Sequence, residues 1–571
     1  MNDYRVFTAE LHARTAVHVG SGAGNDITDA LIRRDAQGNS LIPGTAIAGV
    51  LRALLTRLAP RLGAQTCKAL SDDENERAAT CTCRVCQLMG SINPSDEQSV
   101  PEAAASRLFV FNARLRQDSV RVTIRDGVGI DRRTQAAARA GHVKFDLEVL
   151  PPGVIFDLCL ELRGDIAPEL EQLLAAGLAE WQAGRLWLGG RVGRGLGAFE
   201  LKNLSYKIHA LDDSQGLLDY LQSDHPTEIA LPQPNWISDQ LGKIHLQPPR
   251  DDIPNQFIAR RWVKFEGILK AGGPLLTNDT TTAGVEGFDH APLLGQMGDL
   301  DKPVLSGSGL RGVLRSHAER IARTLATNKA TGKDDFLTHC PACNPLENRK
   351  DKPLANCDSL LPPDDKLPNK ETSAEHLCLA CRLFGSTRRG SRLIVEDALY
   401  QPTGEQPKPA FKMLDFLAID RFTGGGADKF KFDALVLWQP AFQFRMFLDN
   451  PEPWELGWLA LVLRDMQDGW LNVGMGANKG MGQVNLDDLK CTLGYLTSDN
   501  LTDLDLQPDG KRGQSLYGEM PFTLQQMAPW VSKFTDEVKE FDRSKSILPE
   551  IPADTYYGVV DHLYPVREVT E

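Results

Sequence analysis

The chain carries one ordered set of motifs twice, about half a chain apart, and no other feature of the sequence constrains the fold as much. Residues 42–52, IPGTAIAGVLR, return at 305–315 as LSGSGLRGVLR. The block CRVCQLMGS from Cys83 is echoed by CLACRLFGS from Cys378, and SRLFVFNARL from Ser106 by SRLIVEDALY from Ser391. Ile130-Asp131-Arg132 then matches Ile419-Asp420-Arg421, and LGGRVGRGLG from Leu188 matches VGMGANKGMG from Val473. Five blocks in one order predict two copies of one folding unit, and 571 residues are more than a single hydrophobic core usually serves.

In the first copy, apolar alternation from Tyr4 to Val19 predicts a strand, whereas Ile47, Val50, Leu51, Leu54, Leu55 and Leu58 have helical spacing, with Gly44 and Thr45 at the helix start. Strand-like runs follow at Arg107–Leu115 and Val154–Leu162, then a helix through Leu170, Leu173, Leu174, Leu178 and Trp181, and a last strand from Ala198. The second copy repeats this order, with helices near Gly309–Leu325 and Trp454–Met466. The expected class is α+β: two tandem ferredoxin-like, RRM-like modules of order β-α-β-β-α-β, an open-sheet motif that leaves one face for a ligand. We expect module one at 1–208 with an insertion at about 60–105 and an arm at about 117–147. A Pro-rich linker follows at 209–255, then module two at 256–496 with an insertion at about 330–390 and an arm at about 411–435, and a tail at 497–571.

No apolar run is long enough to cross a membrane and no signal segment opens the chain, so a soluble, cytoplasmic protein is expected. The net charge of -13 argues against wholesale wrapping of nucleic acid, but net charge does not describe local fields. Arg121, Arg125, Arg132, Arg133, Arg139 and Lys144 crowd the first arm, and Lys412, Arg421, Lys429 and Lys431 the second. A solvated loop is the plainer reading of either arm; recurrence at one place in both copies favours RNA contact.

The eleven cysteines are clustered rather than spread as a disulfide framework. Cys340-x-x-Cys343 followed by Cys378-x-x-Cys381 predicts four thiolates around a structural Zn²⁺, with Cys357, His339 and His376 as substitute ligands. Cys67, Cys81, Cys83 and Cys86 form a looser second set. The glycine strings at 20–24 and 189–197 lack the strand-then-helix setting of a dinucleotide cradle, yet bare amides beside Arg191 and Arg194 suit an RNA backbone as well as a simple turn. Asp26 and Asp29 follow the first strand, and Asp289 lies in the corresponding loop of the second copy. A loop aspartate is usually a turn former, but a carboxylate with a divalent ion also suits RNA cleavage through the 2′-hydroxyl.

The combined pattern resembles the RAMP superfamily, specifically the Csm-three-like, Cas-seven group that forms the backbone of type III CRISPR effectors. The resemblance rests on DALIRRDAQGNSLIPGTAIAGVLR from Asp29, the CRVCQLMGS block, GIDRRTQAAARAGHVKFDLEVLPPG from Gly129 and GGRVGRGLGAFEL from Gly189. It implies a subunit of a ribonucleoprotein filament that holds guide RNA, meets complementary target RNA and other effector subunits, and uses thumb hairpins to kink the paired strands. The family's catalytic aspartate, with Mg²⁺, maps onto Asp29, with Asp26 as neighbour and Asp289 as the second-copy match, although Pro-Gly has become Ser306-Gly307 there. RNA contacts are implied at Arg52 and Arg315 on the helices and at Arg132, Arg133 and Arg421 on the thumbs; Arg125, Arg191, Arg194 and Lys479 join them from the basic arm and loops. Two fused copies are similar to type III-D subunits. The alternatives are a non-catalytic guide-binding scaffold, a precursor-processing RAMP ribonuclease using His12 or His18, and a two-zinc structural protein.

Overall fold

The computed structural model describes residues 3–26, 28–65, 81, 83–91, 105–117, 120–132, 136–138, 144–211, 213–222, 235–248, 258–297, 300–349, 354–361, 376–404, 406–509, 511–513 and 515–543. The first unit runs β1 (Asp3–Ala13), α1 (Gly44–Leu58), α2 (Arg84–Met89), β2 (Leu108–Val110), β3 (Ala113–Leu115), β4 (Thr123–Val128), β5 (Lys144–Val149), β6 (Ile155–Arg163), α3 (Pro168–Gln182) and β7 (Ala198–Ala210). The second runs β8 (Arg261–Ala271), α5 (Gly307–Thr327), α6 (Leu379–Phe384), β9 (Leu393–Val395), β10 (Ala398–Tyr400), β11 (Phe411–Ile419), β12 (Gly426–Trp438), β13 (Ala441–Asp449), α7 (Pro453–Gln467), β14 (Gln483–Tyr495), β15 (Gly518–Phe522) and α8 (Ala528–Glu540). Between them α4 (Trp236–Leu241) lies in the stretch expected to be linker, where Trp236 stacks on Tyr206 at 5.3 Å.

Each unit is built on one antiparallel sheet. The first is seven-stranded and contains the order β3-β6-β1-β7; the second is ten-stranded and contains β10-β13-β8-β14-β15. The central strands have the same register: Tyr4 faces Arg163 as Trp262 faces Asp449, and a bulge falls between Thr8 and Glu10 as between Glu266 and Ile268. The strand expected over Arg107–Leu115 is split into β2 and β3.

Helix spacing does the rest. Ile47, Leu51 and Leu55 of α1 are fully buried with Leu173, Leu174, Leu178 and Trp181 of α3, which makes one core of sheet and two helices. At about 1.5–3 kcal/mol for each large apolar side chain removed from water, this packing is the main support of the unit. In the second unit β15 pairs with β14, and α8 buries Trp530, Phe534 and Val538 against Trp458 and its neighbours. The described part of the C-terminal stretch is therefore part of the second core.

The two arms are hairpins. β4 and β5 pair with Asp126 facing Asp146, while β11 and β12 pair with Asp415 facing Asp433 in a three-stranded sheet. The units meet along a junction containing Leu58, Ala176, Trp262, Ile394, Phe447 and Tyr517. Gly195 lies there at φ 98°, and a Cβ on it would sit 2.7 Å from the Gly307 Cα, so this loop position requires glycine for close approach to α5. Among the described residues no helix is long and apolar enough to cross a membrane.

Candidate nucleic-acid interface and metal centre

The same group of side chains stands at the base of each arm. Asp29 accepts a hydrogen bond from the Asp146 backbone N–H at 2.9 Å, and Asp289 accepts one from the Asp433 N–H at 3.0 Å. The chain next to each aspartate then bridges the same strand, Ala30 to Leu147 and His290 to Ala434. Both aspartates are exposed, and each lies one strand pairing away from two further carboxylates, Asp126 with Asp146 and Asp415 with Asp433. Burial raises the pKa of Asp146 above the usual carboxylate value, with Asp126 and Asp29 adding to the rise and Lys144 opposing it. Asp26 lies exposed in the same loop, and the carboxylate bonded to the arm strand is that of Asp29.

An aromatic ring and cations complete each group. Arg191, held at φ 59°, places its guanidinium 3.8 Å over the Phe145 ring, and the exposed Arg194 lies 5.9 Å from it. Phe145 covers Gly127, where a Cβ would run into the ring. In module two the exposed Lys479 lies 5.8 Å over Phe432, which stacks on Phe416 at 4.8 Å and meets the His290 ring edge-on at 5.6 Å. The signal for these rings was present in the sequence: Lys144-Phe145-Asp146 is repeated as Lys431-Phe432-Asp433. Cations beside an aromatic face and a Gly-rich loop suit a nucleic-acid backbone with a stacked base.

Four arginines expected to face RNA have protein partners instead. Arg52 donates to the Met89 and Gly90 carbonyls, both at 2.6 Å, and its counterpart Arg315 donates to the Gly385 carbonyl at 3.2 Å, so each caps the C-terminal end of a cysteine-bearing helix. Arg125 is buried and donates to Asp397 at 2.5 Å, and Arg132 donates to Glu319 at 3.0 Å, both across the junction. Arg421 is exposed on the second arm, while Arg133 lies outside the described residues. His12 pairs with Glu10 at 2.7 Å and His18 is buried against the Glu148 carbonyl at 2.7 Å, so the residues that would serve a precursor-processing site already have local partners.

The sulfurs of Cys343, Cys357, Cys378 and Cys381 lie within 4.8 Å of one another, and all four residues are buried. Cys357 thus takes the place expected for Cys340. Burial raises the Cys340 thiol above its usual value, and that thiol donates to the Ala342 carbonyl at 3.3 Å. Four converging thiols with no open side fit a structural Zn²⁺. Arg315 lies 3.5 Å from the Cys381 sulfur, and the buried Arg543 donates to the neighbouring Ala355 carbonyl at 3.0 Å, so two guanidiniums offset the charge a tetrathiolate site would hold. In module one Cys81, Cys83 and Cys86 converge in the same way, and Cys67 lies outside the described residues.

A family model described as RAMPs, the RAMP superfamily, matches residues 10–200 and 291–485, one stretch in each unit. No curated protein sequence matches the chain.

Proposed function

The chain belongs to the RAMP superfamily as a two-module protein, and from that premise we propose that it is a guide-RNA-binding subunit of a type III CRISPR effector that also cuts complementary target RNA. The observation that carries this reading is the duplicated arm base, with a carboxylate, a ring and a cation in matching places: Asp29, Phe145 and Arg194 in module one, Asp289, Phe432 and Lys479 in module two. In this reading the modules are ferredoxin-like Cas-seven units with cysteine-bearing insertions, fused as in type III-D subunits. They are bounded at about 1–208 and 256–496, with part of the 497–571 stretch completing module two.

Arg191, Arg194, Lys479 and Arg421 would hold phosphates of guide and target, and Phe145 and Phe432 would limit how the paired strands cross the arm. For cleavage, the 2′-hydroxyl attacks the adjacent phosphorus, the P–O2′ bond forms and the P–O5′ bond breaks. Asp29 in module one and Asp289 in module two would receive the hydroxyl proton, while Arg191 or Lys479 faces the phosphate charge. A Mg²⁺ held by the arm-base carboxylates would supply charge stabilisation.

A specific observation favours a second reading, a non-catalytic scaffold. Asp29 and Asp289 both hold the backbone of an arm strand, which is a structural task in itself. The two readings separate when the protein is assembled with guide RNA and its neighbouring subunits and labelled complementary RNA is followed in Mg²⁺. Loss of one cut in Asp29→Ala and of another in Asp289→Ala, each about 10²–10⁴-fold, with guide retention unchanged and Asp26→Ala silent, supports the nuclease. Survival of every cut leaves the scaffold.

A further inference from the structure

One buried residue of module two holds two separate parts of module one. Asp397 lies between β9 and β10. Its Oδ1 accepts from the Gly307 N–H at 2.8 Å, its Oδ2 accepts from the Arg125 guanidinium at 2.5 Å, and its backbone N–H donates to the Gly195 carbonyl at 3.3 Å. The first bond seats it at the start of α5 in its own module. The other two cross the junction, one to the arm and one to the glycine-rich loop, and a charge-assisted bond taken out of water is a strong tether.

Both tethers end one step from the arm-base group of module one. Residues two apart on a strand share a face, so Arg125 stands on the arm face that carries Gly127 and the Phe145 ring covering it. The same hairpin supplies the Asp146 N–H that binds Asp29. Gly195 directly follows Arg194, and the loop before it turns the Arg191 guanidinium over Phe145 at 3.8 Å. Burial lowers the pKa of Arg191, Arg194 adds to the fall and Asp29 opposes it, so the loop cations and the aspartate stand in one another's field.

The matching positions of module two form no such clamp. Leu414 stands where Arg125 does, Gly476 where Arg191 does and Gly480 where Gly195 does. A Cβ on Gly480 would meet nothing within 4 Å, whereas one on Gly195 would sit 2.9 Å from the Asp397 nitrogen. Asn112 occupies the place of Asp397 in module one and accepts from the Gly44 N–H at 2.9 Å. Holding the helix start is therefore common to both copies, and the charge that grips a neighbouring arm is present in module two alone.

We infer that Asp397 is a positioning residue for the module-one site: it fixes the arm against the glycine-rich loop, so that Asp29 and Arg191 address one phosphodiester, and it takes no part in the module-two site. Its effect on cutting rests on the cleavage reading above; its effect on the arm and loop rests on the junction alone.

The test uses the full chain assembled with guide RNA and its neighbouring subunits. Asp397→Asn keeps an acceptor for Gly307 and removes the charge that holds Arg125. The single-turnover rate of the Asp29-dependent cut is expected to fall by about 10–10²-fold, the scale set by small misplacements of reacting groups, with binding of complementary RNA unchanged. The Asp289-dependent cut keeps its rate. Arg125→Leu should give the same loss, and the double variant no more than either single change, because both remove one interaction. The double variant also leaves neither charge buried alone, so it is the one to read where a single change fails to fold. Hydrogen exchange in the free chain supplies a readout without cleavage: amides of β4, β5 and residues 189–197 should exchange faster in Asp397→Asn, and those of β12 and residues 473–482 should not. A wild type that cuts nothing removes the nuclease reading and leaves the clamp to be decided by exchange. Unchanged exchange at the arm and loop, or a fall of both cuts by the same factor, would overturn the proposal.

Discussion

Cys357→Ser and Cys378→Ser are each expected to strip bound zinc from module two and unfold its insertion, whereas Cys340→Ser keeps the metal. The cluster joins Cys357 to the paired Cys343, Cys378 and Cys381, and Cys340 donates to a backbone carbonyl instead. Structural zinc sites carry an apparent binding free energy of roughly 10–16 kcal/mol, comparable with the whole stability of a domain at about 5–15 kcal/mol. The cluster lies in the same core as Phe336, Leu379, Phe384 and Trp458, so loss of the ion is not confined to a surface loop. Metal content of the purified variants and their thermal melts check this. Full zinc occupancy in Cys357→Ser, or loss of zinc in Cys340→Ser, would sink the assignment. Chelation of wild type should reproduce the Cys378→Ser melt.

The difference between Cys340 and Cys357 shows where sequence reading reaches its limit. Spacing identified the CxxC pairs, but it assumes that both members of a pair face the ion. Cys340 follows the short helix Lys333–His339 with its thiol turned to Ala342, while the short helix Cys357–Leu360 brings in a sulfur that no spacing rule pairs. The helices α1, α3, α5 and α7 were legible because burial on one face leaves a period in the residues themselves. The repeat also located both arms. The partners of the arginines were not legible. Arg125 and Arg421 look alike in a basic stretch, yet one is buried on Asp397 and the other is exposed, and the difference is made by the other module. For the same reason Gly195 looked like part of a phosphate loop or a turn, when its bare Cα serves the approach of α5.

Glu319→Ala is expected to cost about 3–5 kcal/mol, the penalty for leaving buried charges without their partner. Glu319 is fully buried and stands among Arg315 at 2.8 Å, Arg132 at 3.0 Å and Arg323 at 3.8 Å. Its removal leaves Arg315 with only the Gly385 carbonyl and the Cys381 sulfur, and cuts the tie of the first arm to α5 in one step. Burial alone would raise the Glu319 carboxyl, but Arg315, Arg323 and Arg132 outweigh it and hold the pKa below the ordinary value. A depressed folded value means that the carboxylate stabilises the protein above the unfolded glutamate pKa of about 4.3, and that this contribution fades as pH falls through the folded value. Denaturant unfolding of wild type and Glu319→Gln should therefore differ most near neutrality and converge in acid. Arg132→Ala removes one partner and leaves Glu319 two others, so it should cost less than Glu319→Ala. Equal midpoints for wild type and Glu319→Ala at neutral pH would show that the three guanidiniums do not need this carboxylate, and that the junction is held by its apolar contacts alone.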